Sequence, residues 1–182
     1  MNAAALPTPL HEAVFGRRSV RNFTGEKLDE PTVRLLLAAA VRAPTAIHAE
    51  PWRFATIQDA ALLKGLSDQA KVLFVAEVRR LHLDSGVRGL EAFNRQDFNV
   101  FYDAGTLIVI CANLASQFAQ TDCWLAAENL MLVADTMGLG TCVIGSAVGT
   151  LKAPDMKADI GRRGRSDRQG SQSHDCLAGA AL

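Results

Sequence analysis

The order of apolar and polar residues predicts three helices in the first half of the chain. Between Asp29, a candidate N-cap, and Pro44, apolar residues recur at the i, i+3, i+4 and i+7 spacing of one buried helix face. From Ala60 to about Leu83 the spacing is again helical, and we expect two pieces that break near Ser67. A shorter helix is predicted over residues 8–15, where a threonine N-cap precedes a proline.

The second half alternates between short apolar strands and one long helix. Strands are predicted over residues 52–58, 105–111 and 141–144, and the middle one is β-branched and apolar throughout, which is typical of burial on both faces. The segment 123–137 predicts a helix that Asp122 would cap. Because this helix is apolar nearly all round, we expect it in the core or at a subunit interface. Residues 82–99 are polar and weakly periodic, which predicts a mobile region of helix and loop that covers a site.

The composition changes abruptly after Ile160. Residues 161–182 are rich in Gly, Arg, Ser, Asp and Gln, and they contain no aromatic residue, isoleucine or valine. Such a composition, with no periodic apolar face, is typical of a disordered tail. We therefore expect one folded domain over residues 1–160, followed by a disordered Arg/Gly/Ser-rich tail over residues 161–182.

Charge and cysteine content narrow the class of protein. The 182 residues fit a single domain, and 19 basic and 19 acidic side chains give a net charge of zero, whereas nucleic-acid and membrane-surface proteins usually carry a basic excess. No apolar run approaches the roughly 20 residues of a membrane span, and residues 1–10 show no secretory signal. The four cysteines form no C-x-x-C pair, and three of them lie in apolar segments, which predicts buried, reduced thiols. A cytoplasmic protein is the simplest interpretation.

The segment 16–23, Gly-Arg-Arg-Ser-Val-Arg-Asn-Phe, concentrates three guanidinium groups and a hydroxyl just after the first predicted helix. Arginine matches phosphate oxygens in bidentate geometry, and serine adds a donor, so the segment suits a phosphorylated cofactor. A solvated basic corner or a nucleic-acid patch would contain the same residues. The neutral net charge weakens the nucleic-acid interpretation.

The sequence contains no recognisable catalytic set or metal motif. The four histidines lie in unrelated segments, there is no G-x-S-x-G or H-E-x-x-H pattern, and Gly138 and Gly140 are only two glycines of the dinucleotide fingerprint. What remains is a phosphate clamp, apolar strands, a buried helix and a glycine after the last strand. That combination suits a flat, phosphorylated, mostly apolar cofactor.

Four stretches in this order resemble the nitroreductase family of FMN-dependent, NAD(P)H-consuming oxidoreductases. Residues 17–23 are similar to the family pattern R-R-S-x-R-x-F, and residues 43–52, Ala-Pro-Thr-Ala-Ile-His-Ala-Glu-Pro-Trp, to A-P-S-x-x-N-x-Q-P-W. The apolar strand ending at Cys111 is the third stretch. The fourth runs through residues 122–130 to the Gly-Leu-Gly-Thr-Cys-Val-Ile-Gly of residues 138–145. The resemblance covers about residues 9–160.

The resemblance implies an α+β fold with a mainly antiparallel sheet flanked by helices, in an intertwined homodimer with two FMN sites at the interface. It also implies that NAD(P)H passes a hydride to flavin N5, and that a nitroaromatic, quinone or similar acceptor then takes it in a ping-pong reaction. The flavin carries that chemistry, so no catalytic side chain and no metal are expected. The small-molecule acceptor is the other expected partner.

The resemblance also assigns FMN-binding roles by position. It places Arg17 at the phosphate, Arg18 and Ser19 at the ribityl chain and phosphate, and Arg21 at the pyrimidine edge, where a cation stabilises reduced flavin. At the N5 and O4 side it places the backbone of two residues, Ile144 and Gly145. The loop that reaches the flavin of the partner subunit contributes four residues, Pro44, Thr45, Ala46 and His48.

The chain departs from the family pattern at two places. His48 stands where the family usually has asparagine, and Glu50 where it usually has glutamine; an ionised glutamate donates no hydrogen bond. After residue 160 the family's apolar strand and basic arm are not recognisable, as in a truncated or frame-shifted end. An impaired member that only dimerises or binds flavin weakly is therefore the alternative hypothesis, and the missing strand would leave a sheet edge unpaired.

Overall fold

The computed structural model describes residues 8–82, 90–113, 116–153, 165–166 and 175–182. Its helices are α1 (Thr8–Gly16), α2 (Glu30–Ala40), α3 (Ala60–Arg80), α4 (Ala119–Thr136) and α5 (Val148–Lys152). Its strands are β1 (Trp52–Ile57), β2 (Leu107–Ala112), β3 (Cys142–Ile144), β4 (Arg165–Ser166) and β5 (Asp175–Ala181). Short 3-10 helices span Ala46–His48 and Leu90–Asn94.

Local capping explains where α2 and α3 begin. The Asp29 carboxylate accepts a hydrogen bond from Thr32 N at 2.9 Å, and Asp59 caps α3 in the same way. Hydrogen bonding to the side chain and then the backbone of Thr32 lowers the pKa of Asp29. The predicted break in α3 is wrong, because the helix continues through Ser67. That hydroxyl is buried and accepts from Val100 N at 3.0 Å. A polar residue that looked like a helix breaker therefore fixes a tertiary contact.

The five strands form one antiparallel sheet in the order β3-β5-β2-β1-β4. The three strands predicted from apolar runs are present within two residues of their expected ends, and β2 lies at the centre, as its apolar sequence requires. One core packs α2 and α4 against one face of the sheet, and a second core packs α3 and α5 against the other. The α+β class with a mainly antiparallel sheet is confirmed.

Strand β5 corrects the prediction that the whole of residues 161–182 is a disordered tail. Residues 175–181 pair with β2 on one side and with β3 on the other. Leu182 is buried, and its backbone exchanges two hydrogen bonds with that of Thr106. A strand is therefore present in the segment where it was expected to be missing, and it fills the place between β2 and β3. Residues 161–164 and 167–174 lie outside the described residues, and for them disorder stays a prediction.

The composition of β5 explains the error. Asp-Cys-Leu-Ala-Gly-Ala-Ala contains small residues and no β-branched or aromatic side chain, so its own β-propensity is low. Two neighbouring strands stabilise it from both sides, and such tertiary pairing overrides local propensity. A pattern search that looks for Val, Ile and aromatic residues does not detect a strand of this kind.

Helix α4 begins earlier than predicted and leaves apolar side chains exposed. It starts at Ala119 rather than after Asp122, so the prediction that Asp122 is its N-cap is wrong. One face is buried against the sheet, while Trp124 and Leu125 remain about 40 % exposed. Helix α1, which packs against α4, leaves Leu10, Val14 and Phe15 exposed. We call these five residues the α1–α4 surface. Among the described residues, no helix is long and apolar enough to cross a membrane.

Candidate functional site

The arginine segment, residues 17–21, is held alongside β3. Helix α1 ends at Gly16, and Val20 N then donates to Thr141 O at 2.9 Å while Ser19 forms a parallel bridge with Thr141. Thr141 immediately precedes β3. This backbone pairing therefore brings the cationic segment to the strand that ends at Ile144.

Gly140 makes this close approach possible. A Cβ at Gly140 would lie 2.8 Å from Cγ2 of Val20, a distance that real Cβ atoms do not show. Valine is stiff at χ1, so it could not turn aside easily. The glycine two residues earlier, Gly138, serves a different purpose. Its φ of 73° ends α4 in a left-handed conformation, and its Cβ position is open.

The three arginines of the segment have different surroundings. Arg17 is part-buried, and its Nε lies 3.7 Å from Oε1 of Glu128 on α4. Arg18 is exposed, and its Nη1 turns back to backbone carbonyls, the nearest being that of Arg17 at 3.1 Å. Arg21 is exposed and close enough for its charge to act on the Cys142 thiol. Three positive charges thus stand around the start of β3, with one carboxylate beside Arg17.

Two buried thiols report the electrostatics around α4 and β3. Burial raises the pKa of Cys142 above its usual range, and the positive charge of Arg21 offsets part of that rise. Burial and the neighbouring Asp122 carboxylate raise the pKa of Cys123 to about 12. Both thiols are therefore protonated at neutral pH, and neither is suited to act as a nucleophile.

The end of β3 offers an open backbone edge. In the described part of the chain, β3 is an edge strand that pairs with β5 on one side only. An edge strand presents unpaired N–H and C=O groups to its surroundings. Ile144 is buried, Gly145 is exposed, and nothing lies within 4 Å of the Cβ position of Gly145. The backbone of Gly145 is therefore accessible to a ligand, as the predicted contact with a flavin ring would require.

The predicted loop at Pro44–His48 lies elsewhere in the chain. It leads into β1. Strands β5 and β2 lie between β3 and β1, so β3 and β1 are about 14 Å apart at the usual strand spacing. Ala46 N donates to Oδ1 of Asp122 at 3.2 Å, so the loop is attached near the start of α4. The chain therefore places residues 17–21 alongside the start of β3, the strand that runs to Ile144, and it places residues 44–48 in a second group.

Sequence reasoning missed three residues that position these two groups. Gly140 was seen only as half of a weak dinucleotide pattern, Glu128 only as part of a family motif, and Asp122 was assigned to the helix cap. Asp and Glu near a helix start favour a capping or dipole interpretation. Only the fold shows that the Asp122 side chain reaches the loop. No group of three His, Cys, Asp or Glu residues that could hold a metal ion occurs among the described residues.

The sequence model of the nitroreductase family matches residues 14–148 of this chain. That span is most of the chain and contains both groups of predicted site residues. The chain therefore belongs to the nitroreductase family, and the resemblance seen in its motifs is confirmed.

Individual relatives are distant. A protein of Archaeoglobus fulgidus, provisionally named NADH dehydrogenase/NAD(P)H nitroreductase, is 26 % identical over 137 residues, covering 72 % of this chain and 64 % of its own length. The chain thus spans less than two thirds of that relative.

An FMN-bound nitroreductase structure from Bacteroides fragilis has a TM-score of 0.75 at 24 % identity, covering 94 % of this chain and 86 % of its own. A second, from Desulfitobacterium hafniense, has a TM-score of 0.74 at 18 % identity, covering 97 % and 88 %. These structures show the fold.

Proposed function

We propose that this protein is an FMN-dependent oxidoreductase that uses NAD(P)H to reduce nitroaromatic, quinone or similar acceptors. Family membership supports the reaction class, and FMN-bound relatives with the same fold support the cofactor. The observation that carries the proposal is the pairing of Val20 with Thr141, which sets the arginine segment alongside the start of β3, the strand that leads to the exposed Gly145. A phosphate cradle next to an accessible backbone edge suits a phosphorylated, planar cofactor.

The residues of the first group take distinct roles in this proposal. Arg17 binds the phosphate, with Arg18 and Ser19 at the phosphate and ribityl chain. Arg21 faces the pyrimidine edge, where its charge stabilises the reduced ring. The backbone of Ile144 and Gly145 meets the N5 and O4 side, and the lack of a Cβ at Gly145 leaves room for the ring.

When bound, FMN would supply the chemistry by taking a hydride from NAD(P)H at N5 and giving it to the acceptor. The protein binds and orients the reactants. Arg18, which turns back to carbonyls of its own segment, has to swing outward to reach the ribityl chain. Arg17 has to exchange part of its contact with Glu128 for the phosphate. The proposal therefore predicts that the cation cluster rearranges when cofactor binds.

The second group completes the site in a homodimer. We propose that the α1–α4 surface packs against a second copy of the chain, since exposed apolar patches of this kind mark protein interfaces. In such a dimer Pro44, Thr45, Ala46 and His48 would reach the flavin held by the partner. This assignment accounts for a loop that the single chain places apart from the arginine segment. We also propose that the protein is located in the cytoplasm.

Reconstitution with FMN tests the proposal directly. The purified chain should retain about one FMN per subunit after gel filtration, and NADH or NADPH should bleach the flavin absorbance until a nitroaromatic or quinone is added. A chain that dimerises but retains no flavin would contradict the proposal and would instead match the impaired family member. Bleaching with one nucleotide alone would identify the preferred co-substrate.

A further inference from the structure

The loop between α2 and β1 adopts an unusual backbone. Three non-glycine residues have positive φ values: Ile47 at 51°, His48 at 54° and Glu50 at 40°. This left-handed region is disfavoured for L-residues, most of all for a β-branched side chain such as isoleucine. Ile47 is also 85 % exposed, so its own packing does not hold the loop in this shape.

Hydrogen bonds with residues outside the loop hold both ends of the strained stretch. At its start Ala46 N donates to Oδ1 of Asp122 at 3.2 Å, and at its end Asn113 N donates to Pro51 O at 2.9 Å. The first contact comes from a side chain and the second from the backbone that follows β2. A strained conformation persists only when its surroundings determine it. The contact with the Asp122 side chain is the one that a substitution can remove.

Asp122 is placed to hold the loop firmly. Its side chain is 2 % exposed, and its Oδ2 is buried without a hydrogen-bond partner in the described part of the chain. A buried carboxylate loses much of its hydration, so the hydrogen bond from Ala46 N compensates for a substantial cost. The residue lies in the first turn of α4, a rigid element that packs on the sheet.

We propose that Asp122 is a positioning residue that holds the strained loop 45–50 in the conformation in which it meets the flavin of the partner subunit. The inference rests on the proposed function only for what the loop contacts; the anchoring itself is a property of the single chain. Asp122 touches neither cofactor nor substrate in this account. It acts through the backbone of Ala46.

Two substitutions remove the same hydrogen bond from opposite sides. Asp122→Ala removes the acceptor. Ala46→Pro removes the donor and leaves Asp122 in place; the preceding Thr45 is already extended, with φ −126° and ψ 146°, as a residue before proline should be. Asp122→Asn keeps an oxygen for Ala46 N and should rescue. Asn129→Ala is the matched control, because Asn129 of α4 donates to Ala39 O but does not reach the loop.

Hydrogen exchange of residues 44–51 in the FMN-free protein tests the anchor. We expect about tenfold faster exchange in Asp122→Ala and in Ala46→Pro, because each loses one hydrogen bond. The double variant should show no further increase. Exchange in Asn129→Ala should equal that of the wild type. FMN affinity should fall about five- to tenfold in the same two variants. Additive effects, or unchanged exchange in both single variants, would overturn the proposal. If Asp122→Ala does not fold, Ala46→Pro carries the test alone.

The two readouts separate this inference from the proposed function. Failure of the wild-type chain to bind FMN would overturn the proposed function, and loop exchange would still decide whether Asp122 anchors the loop. If FMN binds and the loop exchanges faster while FMN affinity is unchanged, the anchor exists but does not position the loop for the flavin, and the proposal is wrong.

Discussion

The arginine segment and the loop at residues 44–50 come from the same family resemblance, yet the chain builds them in opposite ways. The arginine segment is cationic and joined to β3 by backbone pairing, and Gly140 gives it room. The loop carries no arginine or lysine, and it holds left-handed residues in place through a buried carboxylate on α4. One segment is suited to bind a charged group, and the other to present a fixed shape.

Because they are built and attached differently, the two segments can serve different cofactor sites. Two strands lie between them in the sheet. Their contacts with α4 also differ, because Arg17 pairs with Glu128 and Ala46 N donates to Asp122. If a dimer forms through the α1–α4 surface, each cofactor site would take its charge from one subunit and its shape from the other.

The largest effect is expected from Arg17→Ala. Loss of a charge-assisted, bidentate contact to phosphate should weaken FMN binding about 100-fold, while the fold is kept because the contact of Arg17 with Glu128 is long and half-exposed. Fluorescence titration with FMN measures the affinity. Arg34→Ala is the control, since Arg34 pairs with Glu30 on the surface of α2. Equal FMN affinity in Arg17→Ala and wild type would remove Arg17 from the phosphate site.

The next largest effect is expected from Trp124→Glu on the α1–α4 surface. A charge in an apolar interface should shift the dimer to monomer by at least about tenfold in dissociation constant. FMN binding should fall with it, although Arg17 is intact. Sedimentation velocity measures the oligomeric state. Val72→Glu, at an exposed apolar position of α3, is the matched control. A monomeric variant with wild-type FMN affinity would show that one chain holds the whole site.

A smaller effect is expected from Gly140→Ala. The added methyl group should push Val20 away from β3 and lower FMN affinity about tenfold, because the arginine segment moves with it. Gly138→Ala should instead cost about 1 kcal/mol of stability through its positive φ and leave FMN affinity unchanged. Thermal unfolding and FMN titration of both variants distinguish the two glycines. Reversed behaviour of the pair would contradict the assigned roles.

The smallest effects are expected at the two thiols, which serve as local probes of charge. In FMN-free protein, Arg21→Ala should raise the pKa of Cys142 further and slow its alkylation a few-fold. Asp122→Asn should lower the pKa of Cys123 and speed its alkylation a few-fold. Mass spectrometry after iodoacetamide treatment follows each site. If the alkylation rates of both thiols changed in the same direction in the two variants, the cause would be a general loosening of the fold and not the local charge.

The Cys123 thiol also makes the stability of the protein depend on pH, and its raised pKa determines the direction of that dependence. An unfolded thiol ionises near its usual pKa of 9.0, whereas the folded Cys123 stays protonated to about 12. The unfolded state therefore loses its proton first, and stability falls as pH rises from 9 to 12, by at most about 1.4 kcal/mol per pH unit. Chemical unfolding at pH 8 and pH 10 measures the slope, which Cys123→Ala should flatten.

Sequence patterns predicted the parts of the fold that local physics determines. Strand β2 is apolar and β-branched, and α2 has a cap, a periodic apolar face and a proline after its end. Strand β5 was missed because its small residues gain their order from two neighbouring strands. The break predicted near Ser67 was wrong because the hydroxyl has a tertiary partner.

Candidate site residues could be named from the sequence where a motif carries chemistry, but not where geometry does. The type and spacing of the arginines indicate a phosphate site, and that assignment stays a prediction. The role of Asp122 depends on α4 starting four residues earlier than predicted, and the left-handed backbone at Ile47 contradicts the preference of a β-branched residue. Local rules fail most often where a structure holds strain, and here the strain lies in the loop proposed to meet the flavin.

Mixing two variants that are each impaired in FMN binding tests whether one cofactor site is built from two subunits. Arg17→Ala should lack the phosphate contact, and Ala46→Pro combined with His48→Ala should lack a working loop. If each site draws on both subunits, the mixed dimer regains one intact site, and flavin titration should give one tightly bound FMN per heterodimer. If both segments serve the same chain, the mixed dimer has no intact site and binds no FMN tightly, which would contradict the account.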